Sequence, residues 1–212
     1  MNIILLGAPG AGKGTQGELI SEKLHIPTIS TGNMLREAMA NGSELGKKVK
    51  KYMDEGSLVS DEIVLDLLAQ RVAQSDCANG FILDGVPRTL AQAEAIDAKN
   101  IQIDHVVSLE VDDAEIAGRM SGRRVCPKCG ASYHIVNNPP KAEGICDLCG
   151  EQVTIRKDDQ PETVKHRLEV YHASTEVLKD YYAKQNKLRL VYGSQPIECT
   201  LRDILKAIGV TV

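Results

Sequence analysis

Apolar positions along this chain recur in two periods, and together they predict an α/β protein. Ile3 to Leu6 is a continuous apolar run that ends at Gly7 and Pro9, so residues 1–6 read as a short buried strand. From Thr15 to Leu24 the apolar residues Leu19, Ile20 and Leu24 recur at helical spacing. Further strand-like runs occupy Phe81–Leu83, Val106–Leu109 and Leu188–Val191, and each neighbours a helical stretch. These stretches are 63–72 (Ile63, Val64, Leu67, Leu68, Val72), 90–98, 114–120 and 201–208. Strands without a polar face, alternating with helices, require a parallel sheet covered on both sides.

Two segments break that alternation. Residues 30–60 carry two polar, helical pieces, Met34–Ala40 and Glu44–Met53, punctuated by Gly32, Gly42, Gly46 and Gly56. Residues 122–159 are short-period, turn-rich and hold Pro139 and Pro140. Both read as insertions that project from a sheet core built of residues 1–29, 60–121 and 160–212. A long amphipathic helix is expected to begin at Pro161, a residue suited to a first helical turn, and to run toward Tyr182.

Composition narrows the classes. In 212 residues, 42% are apolar and 25% charged, which suits a soluble globular chain and excludes disordered and fibrous ones. No apolar run approaches the roughly 20 residues of a bilayer-spanning helix, and nothing basic precedes the first apolar run, so a cytoplasmic protein is expected. The net charge of −4 disfavours a grip on duplex DNA, and aromatic side chains, 3% with no Trp, offer few stacking platforms for single strands. Cations are nevertheless concentrated: between Ile116 and Ala142 there is no Asp or Glu, but there are Arg119, Arg123, Arg124, Lys128 and Lys141. Such a window suits a small polyanion.

The run Gly7-Ala8-Pro9-Gly10-Ala11-Gly12-Lys13-Gly14-Thr15 joins the first strand to the first helix. Glycines let backbone N–H groups converge on an anion, the helix N-terminus adds partial positive charge, and Lys13 adds a full one. The pattern is that of a nucleotide phosphate loop, with one departure: Gly14 holds the position usually given to Ser or Thr, and Thr15 follows it.

Cys126 and Cys129 form one CxxC pair, Cys146 and Cys149 another, with sixteen residues between them and Gly130 and Gly150 after each. This spacing is that of a zinc ribbon in which four thiolates close a tetrahedron, leaving no open position for catalysis. A structural zinc would replace the core that so small and polar a lobe lacks. Cys77 and Cys199 read as small core residues, and His134 is not needed as a ligand.

Asp84 ends a strand ahead of Gly85-Val86-Pro87-Arg88-Thr89, and beside a phosphate loop it is placed to hold Mg²⁺ through water. Transfer of a phosphoryl group between polyanions needs cations more than a base, and Arg, whose fork binds two oxygens at once, is the best supplier. Arg36, Arg88, Arg119, Arg123, Arg156 and Arg167 are the candidates, whereas Arg71, Arg189 and Arg202 fall on peripheral elements.

GAPGAGKGT at 7–15, STGNMLR at 30–36, DGVPRTLAQA at 84–93, GRR at 122–124 and RKDDQPETVKHRL at 156–168 resemble the adenylate kinase family, in its bacterial long form with a zinc-containing lid. The resemblance runs over nearly the whole chain in family order. It implies a phosphate-loop parallel sheet core flanked by helices, a helical AMP-binding insertion at 30–59, a zinc-ribbon-like lid at 122–159, and the Mg²⁺-dependent reaction ATP + AMP ⇌ 2 ADP. It further implies that Gly10, Ala11, Gly12, Lys13, Gly14 and Thr15 hold the ATP phosphates, with Arg119, Arg123, Ser132, Tyr133 and the backbone at Gln195 completing the ATP side. For AMP it implies Thr31, Arg36, Ser57, Leu58, Val59, Gly85, Val86, Pro87, Arg88 and Gln92. Arg156 and Arg167 would bridge the two nucleotides' phosphates, and Asp158 and Asp159 would hold the closed lid. Family function in adenine nucleotide homeostasis and salvage, without nucleic-acid, membrane or protein partners and as a monomer, follows from the same resemblance. Three positions depart from the family pattern: Asn33 for Asp, Val86 for Phe, and Gln195 for Lys. Two other readings compete, a kinase for UMP or CMP and a nucleotide-gated switch whose zinc ribbon grips nucleic acid.

Overall fold

The structure, a computed structural model, describes residues 1–211, so Val212, the last residue of the expected core, lies outside the described residues. Five parallel strands form the sheet in the order β2-β3-β1-β4-β7: β1 (Asn2–Gly7), β2 (Thr28–Ser30), β3 (Phe81–Asp84), β4 (His105–Glu110) and β7 (Leu188–Tyr192). Alternate side chains of each strand enter separate cores. Ile4, Leu6, Phe81, Leu83 and Val106 pack on one face with Leu35, Leu68, Ile96 and Tyr182. Ile3, Leu5, Ile82, Val107 and Leu109 pack on the other with Ile20, Ile116, Val164 and Ile204. Burial on both faces explains why these strands read as unbroken apolar runs.

The helices are α1 (Lys13–Leu24), α2 (Thr31–Ala40), α3 (Glu44–Glu55), α4 (Asp61–Val72), α5 (Leu90–Ala98), α6 (Asp113–Gly122), α7 (Pro161–Val170), α8 (Leu178–Lys184) and α9 (Ile197–Ala207). The expected strands and helices are therefore present, with α9 starting at Ile197 instead of 201. Three differences stand out. Strand β2 is three residues long, too short for a period to show, and exists because Ile29 and its neighbours pair with β3. The expected helix from 161 toward 182 is interrupted by a π-helical turn at Tyr171–Thr175. The cysteine-bearing lobe contains an antiparallel pair, β5 (Arg123–Val125) and β6 (Ser132–His134), built from residues with no alternation to reveal them.

Helix α3 starts at Ser43, whose hydroxyl accepts from the Gly46 N–H at 3.0 Å, and stops at Gly56 in the left-handed region (φ 73°). That stop sits against α7: a Cβ on Gly56 would lie 2.6 Å from Cγ of Arg167 and 2.9 Å from Cγ2 of Thr163. Gly56→Ala should therefore combine backbone strain with a clash and cost about 1–2 kcal/mol. A thermal melt should show Tm lowered by roughly 2–8 °C for a chain of this size; an unchanged melt would mean α7 moves aside freely.

Candidate active site

The functional side chains gather at the carboxyl ends of the strands, the usual ligand crevice of an open parallel sheet. Register decides who meets whom: Leu5 of β1 and Ser30 of β2 both lie opposite Asp84 of β3. The phosphate loop therefore leaves β1 beside the Asp84 carboxylate, which accepts a bond from Ser30 Oγ at 3.4 Å. Gly12 caps α1 with φ 100°, a conformation that disfavours any side chain, and no side chain caps the helix. The first-turn N–H groups of α1 thus point into the cleft as anion donors.

Lys13 arches back over the loop, its Nζ donating to the carbonyls of Gly7 at 2.7 Å and Ala8 at 2.9 Å. Burial pulls its pKa down to about 8; Asp84 resists this, and Arg88, Arg167 and Arg123 add to it. Burial likewise pushes Arg36 down to about 9 and Arg167 down to about 10, with neighbouring guanidiniums contributing in each case. Arg88 shifts down for the same first reason. These guanidiniums stay charged at neutral pH, and their crowding is relieved by an anion placed among them.

The cluster is held together by two buried carboxylates in the short helical turn Lys157–Asp159. Asp158 accepts from Arg156 Nε at 2.9 Å and pairs with Arg167 at 2.9 Å. Asp159 accepts from Arg123 Nε at 2.7 Å and pairs with Arg167 at 3.2 Å. Burial alone would raise the Asp158 carboxyl, but Arg156 and Arg167 outweigh it and hold the group well below the usual carboxylate range. Six cations (Lys13, Arg36, Arg88, Arg123, Arg156, Arg167) thus meet three carboxylates (Asp84, Asp158, Asp159), and the excess of positive charge faces the cleft.

The cleft encloses about 970 Å³. Its walls include all of Gly10 to Thr15, with Arg36, Asp84, Gly85, Arg88, Arg119, Arg123, Ser132, Tyr133, Arg156, Arg167 and Gln195. Arg119 spans one end, donating to the Gly193 carbonyl at 2.7 Å and the Ala11 carbonyl at 3.3 Å while Glu115 fixes its Nε at 2.9 Å. Gln195 ties its side-chain amide back to Asp203 at 2.9 Å and the Tyr192 carbonyl at 3.0 Å, leaving its backbone for any ligand.

The acceptor-side residues are more dispersed. Leu58 and Pro87 line a smaller hollow of about 70 Å³ that shares Lys13, Gly85, Arg88 and Arg167 with the main cleft. Thr31 braces the loop by donating to the Gly85 carbonyl at 3.0 Å. Ser57 Oγ lies 3.2 Å from Nε2 of His166, and Val59 and Val86 are buried in the core. Gln92 is fully committed: its Oε1 accepts from the Arg88 N–H at 2.7 Å and its Nε2 donates to Asp61 at 2.7 Å. Asn33 accepts from Arg36 at 2.5 Å.

Sequence reasoning missed three supporting side chains: Glu115, which holds Arg119; Asp61, which holds Gln92; and Thr175, which donates to the Arg88 carbonyl. Glu115 stands four residues before Arg119, a helical spacing that signals the pair. Asp61 and Thr175 are separated from their partners by 31 and 87 positions, and no local pattern announces them.

At the far end of the lobe, the four cysteine sulfurs lie within 4.8 Å of one another. Cys126 and Cys149 are 3.4 Å apart and Cys129 and Cys146 are 3.5 Å apart, a little inside the ~3.8 Å edge of a tetrahedron with Zn–S bonds of about 2.3 Å. The two CxxC turns are alike. Gly130 N–H donates to Cys126 O at 3.0 Å, and Gly150 N–H to Cys146 O at 2.9 Å, with both glycines at positive φ. The Tyr133 hydroxyl sits 3.4 Å from the Cys146 sulfur and accepts from the Asp147 N–H at 2.8 Å, so this phenol serves the cysteine cluster. The donor set fits a four-thiolate ion such as zinc. Cys77 lies in the core as expected, and Cys199 is only half-buried.

Comparison with known proteins agrees with this geometry. Residues 5–187 match the family model described as adenylate kinase. The chain is 54% identical over 214 residues to adenylate kinase of Caldicellulosiruptor bescii, covering 99% of this chain and 100% of that protein. It is 55% identical over 214 residues to adenylate kinase of Caldicellulosiruptor saccharolyticus, again 99% and 100% of the two chains. With adenylate kinase of Lachnospira eligens it shares 53% over 213 residues, 99% of this chain and 100% of that one.

Proposed function

Because this chain belongs to the adenylate kinase family and so catalyses ATP + AMP ⇌ 2 ADP, we propose how its own residues divide that reaction, and that it serves adenine nucleotide homeostasis and salvage. The single observation that carries the assignment is the cluster of Lys13 and five arginines at the phosphate loop, neutralised from behind by Asp158 and Asp159.

ATP phosphates lie on the N–H groups of Gly10 to Thr15, with the γ-phosphoryl reached by Lys13. Arg119, Ser132, Tyr133 and the backbone at Gln195 border the donor's base and sugar. AMP enters between Thr31, Arg36, the Ser57-Leu58-Val59 turn and Gly85 to Arg88, with Gln92 behind them. Arg123, Arg156 and Arg167 exchange their carboxylate partners for phosphate oxygens, so the cost of ordering them is largely met before substrates arrive. The attacking AMP phosphate oxygen is already ionised, and no general base is required. Closure of residues 122–159, the lid, over the cleft of 30–59 excludes the water that would hydrolyse ATP. Magnesium, which adenylate kinases use with ATP, supplies charge neutralisation on the donor phosphates; Asp84 is placed to hold its water shell. Zinc in the four-thiolate site keeps the lid folded. The cleft is assembled within one chain, which supports action as a monomer, and a four-thiolate metal site suits a reducing cytoplasmic setting. Among the described residues no helix is long and apolar enough to cross a membrane.

The test is ADP formation from Mg·ATP with AMP, UMP, CMP and GMP offered separately. Rapid turnover with AMP supports the assignment, and preference for a pyrimidine acceptor would move it to another nucleotide.

A pH dependence follows from Lys13. Its pKa of about 8 in the unliganded protein lies below the usual ~10.4, so the ammonium that attracts phosphate is lost as pH rises through 8. Calorimetric Kd for ATP should weaken about tenfold per pH unit above that point, with proton uptake on binding near pH 8. Lys13→Arg, which stays charged, should flatten the profile. For folding the sign is opposite: the unfolded chain binds the extra proton, so this group's contribution to stability rises between pH 8 and about 10.4. A Kd independent of pH across this range would refute the charge assignment.

A further inference from the structure

We infer that the π-helical turn Tyr171–Thr175 is a positioning element for Arg88, with the Thr175 hydroxyl as its point of contact. The inference rests on the reading of Arg88 as a phosphate-binding group given above. The Glu176 N–H donates to the Tyr171 carbonyl at 3.0 Å, a bond five residues long that widens the helix between α7 and α8. The turn falls where the helix crosses from one core to the other. Val164, Leu168 and Tyr171 pack with Ile3 and Leu5, whereas Leu178 and Tyr182 pack with Ile4 and Leu6 on the opposite face of the sheet.

In an ordinary helix the Thr175 hydroxyl would bond the carbonyl four residues back, which is that of Tyr171. Here that carbonyl serves Glu176, and Thr175 Oγ1 instead donates to the Arg88 carbonyl at 2.8 Å, across 87 positions of sequence. Thr175 is buried, and its contact with the Arg88 carbonyl is partly buried. Arg88 stands outside any helix or strand, yet both of its backbone polar groups meet side chains: Gln92 takes its N–H at 2.7 Å and Thr175 supplies its carbonyl. The turn is itself anchored on the outside. His172 lies 2.9 Å from Asp113 at the start of α6 and 2.8 Å from Glu176, and Lys179 reaches Glu110 at the end of β4 at 2.8 Å. The path runs from α6 and β4 through the turn to the Arg88 backbone, and so to the guanidinium.

Replacing the hydroxyl by a methyl takes the side-chain donor from a partly buried carbonyl, and the loop relieves this by rotating its peptide, which swings the guanidinium off the acceptor phosphate. The experiment compares full-length Thr175→Val, Thr175→Ser, Arg88→Ala and the Thr175→Val/Arg88→Ala double variant, recording KM for AMP, KM for ATP, kcat and Tm. Thr175→Val should lower kcat/KM for AMP about tenfold while KM for ATP stays within about twofold. Thr175→Ser, which keeps the donor, should return to within about twofold of the parent, and the valine effect should vanish in the Arg88→Ala background. If the valine variant does not fold, Thr175→Ala, which only leaves space, carries the same comparison. Equal changes in both KM values, no rescue by serine, or a full valine effect without the Arg88 side chain would overturn the inference and leave Thr175 as packing. An Arg88→Ala protein with parental AMP kinetics would instead overturn the reading of Arg88, and this inference with it.

Discussion

Lys13→Ala should reduce kcat by about 10²–10³-fold, equivalent to some 3–4 kcal/mol of lost transition-state stabilisation. The ammonium stands in the phosphate loop on the carbonyls of Gly7 and Ala8, so its charge is already placed in the loop and has only to exchange those carbonyls for oxygens of the transferring phosphoryl group. No neighbour can replace it. Arg123 and Arg167 approach from the other wall, where Asp158 and Asp159 hold them until phosphate oxygens take their place, and Arg88 donates to the Gly85 carbonyl at 2.9 Å, whereas Lys13 is the cation seated in the loop itself. Stability should hardly fall, with Tm kept within a few degrees, since burial disfavours this charge and its removal offsets the two lost hydrogen bonds. Steady-state kinetics alongside a thermal melt separate the two quantities. Turnover close to the parent's would sink the assignment of Lys13, and a collapsed melt would make the loss structural.

Removal of metal from the four-cysteine site should unfold the lid while leaving the sheet core standing. The core of this lobe amounts to Cys126, Ala131, Tyr133, Cys146 and Val153, with Cys149 packed against it, and two of its five buried members belong to the four-cysteine cluster that would hold the metal. So little apolar burial cannot offset the entropy of ordering nearly forty residues, whereas a structural zinc at neutral pH contributes on the order of 10 kcal/mol. Calorimetry with and without a strong chelator should resolve an early transition confined to residues 122–159, and hydrogen exchange should show protection lost there alone. Activity should fall with it, since Arg123 and Arg156 lie at the two ends of the lobe and lose their places when it melts. Cys146→Ser should reproduce the effect without chelator. An unchanged melt after metal loss has been verified by elemental analysis would refute a structural role.

How much of this was legible beforehand depends on whether the signal was local. The phosphate loop, the cysteine pairs and the strand-helix alternation were readable because each is made of neighbours in sequence: glycines that free the backbone, ligands on one turn, apolar runs buried on both faces. The arginine set was legible only as candidates, and the motif resemblance ordered them around two nucleotides. The peripheral reading held for Arg71, which pairs with the nearby Asp76 at 2.7 Å. It was not visible that Asp158 and Asp159 share Arg167 between them, or that Tyr133 turns its hydroxyl to Cys146 of the four-cysteine cluster.

Sequence alone determined the fold class, the phosphate-loop turn and the pairing of the four cysteines, because apolar period, glycine placement and ligand spacing act over a few residues. Tertiary structure alone decided that β2 is a strand, that the helix after Pro161 breaks into a π turn at the passage between two cores, and which carboxylate neutralises which guanidinium. Those outcomes depend on strand register and on hydrogen bonds between residues tens of positions apart, such as Thr175 to Arg88, and the energy of such contacts has no counterpart in any local stretch of the chain.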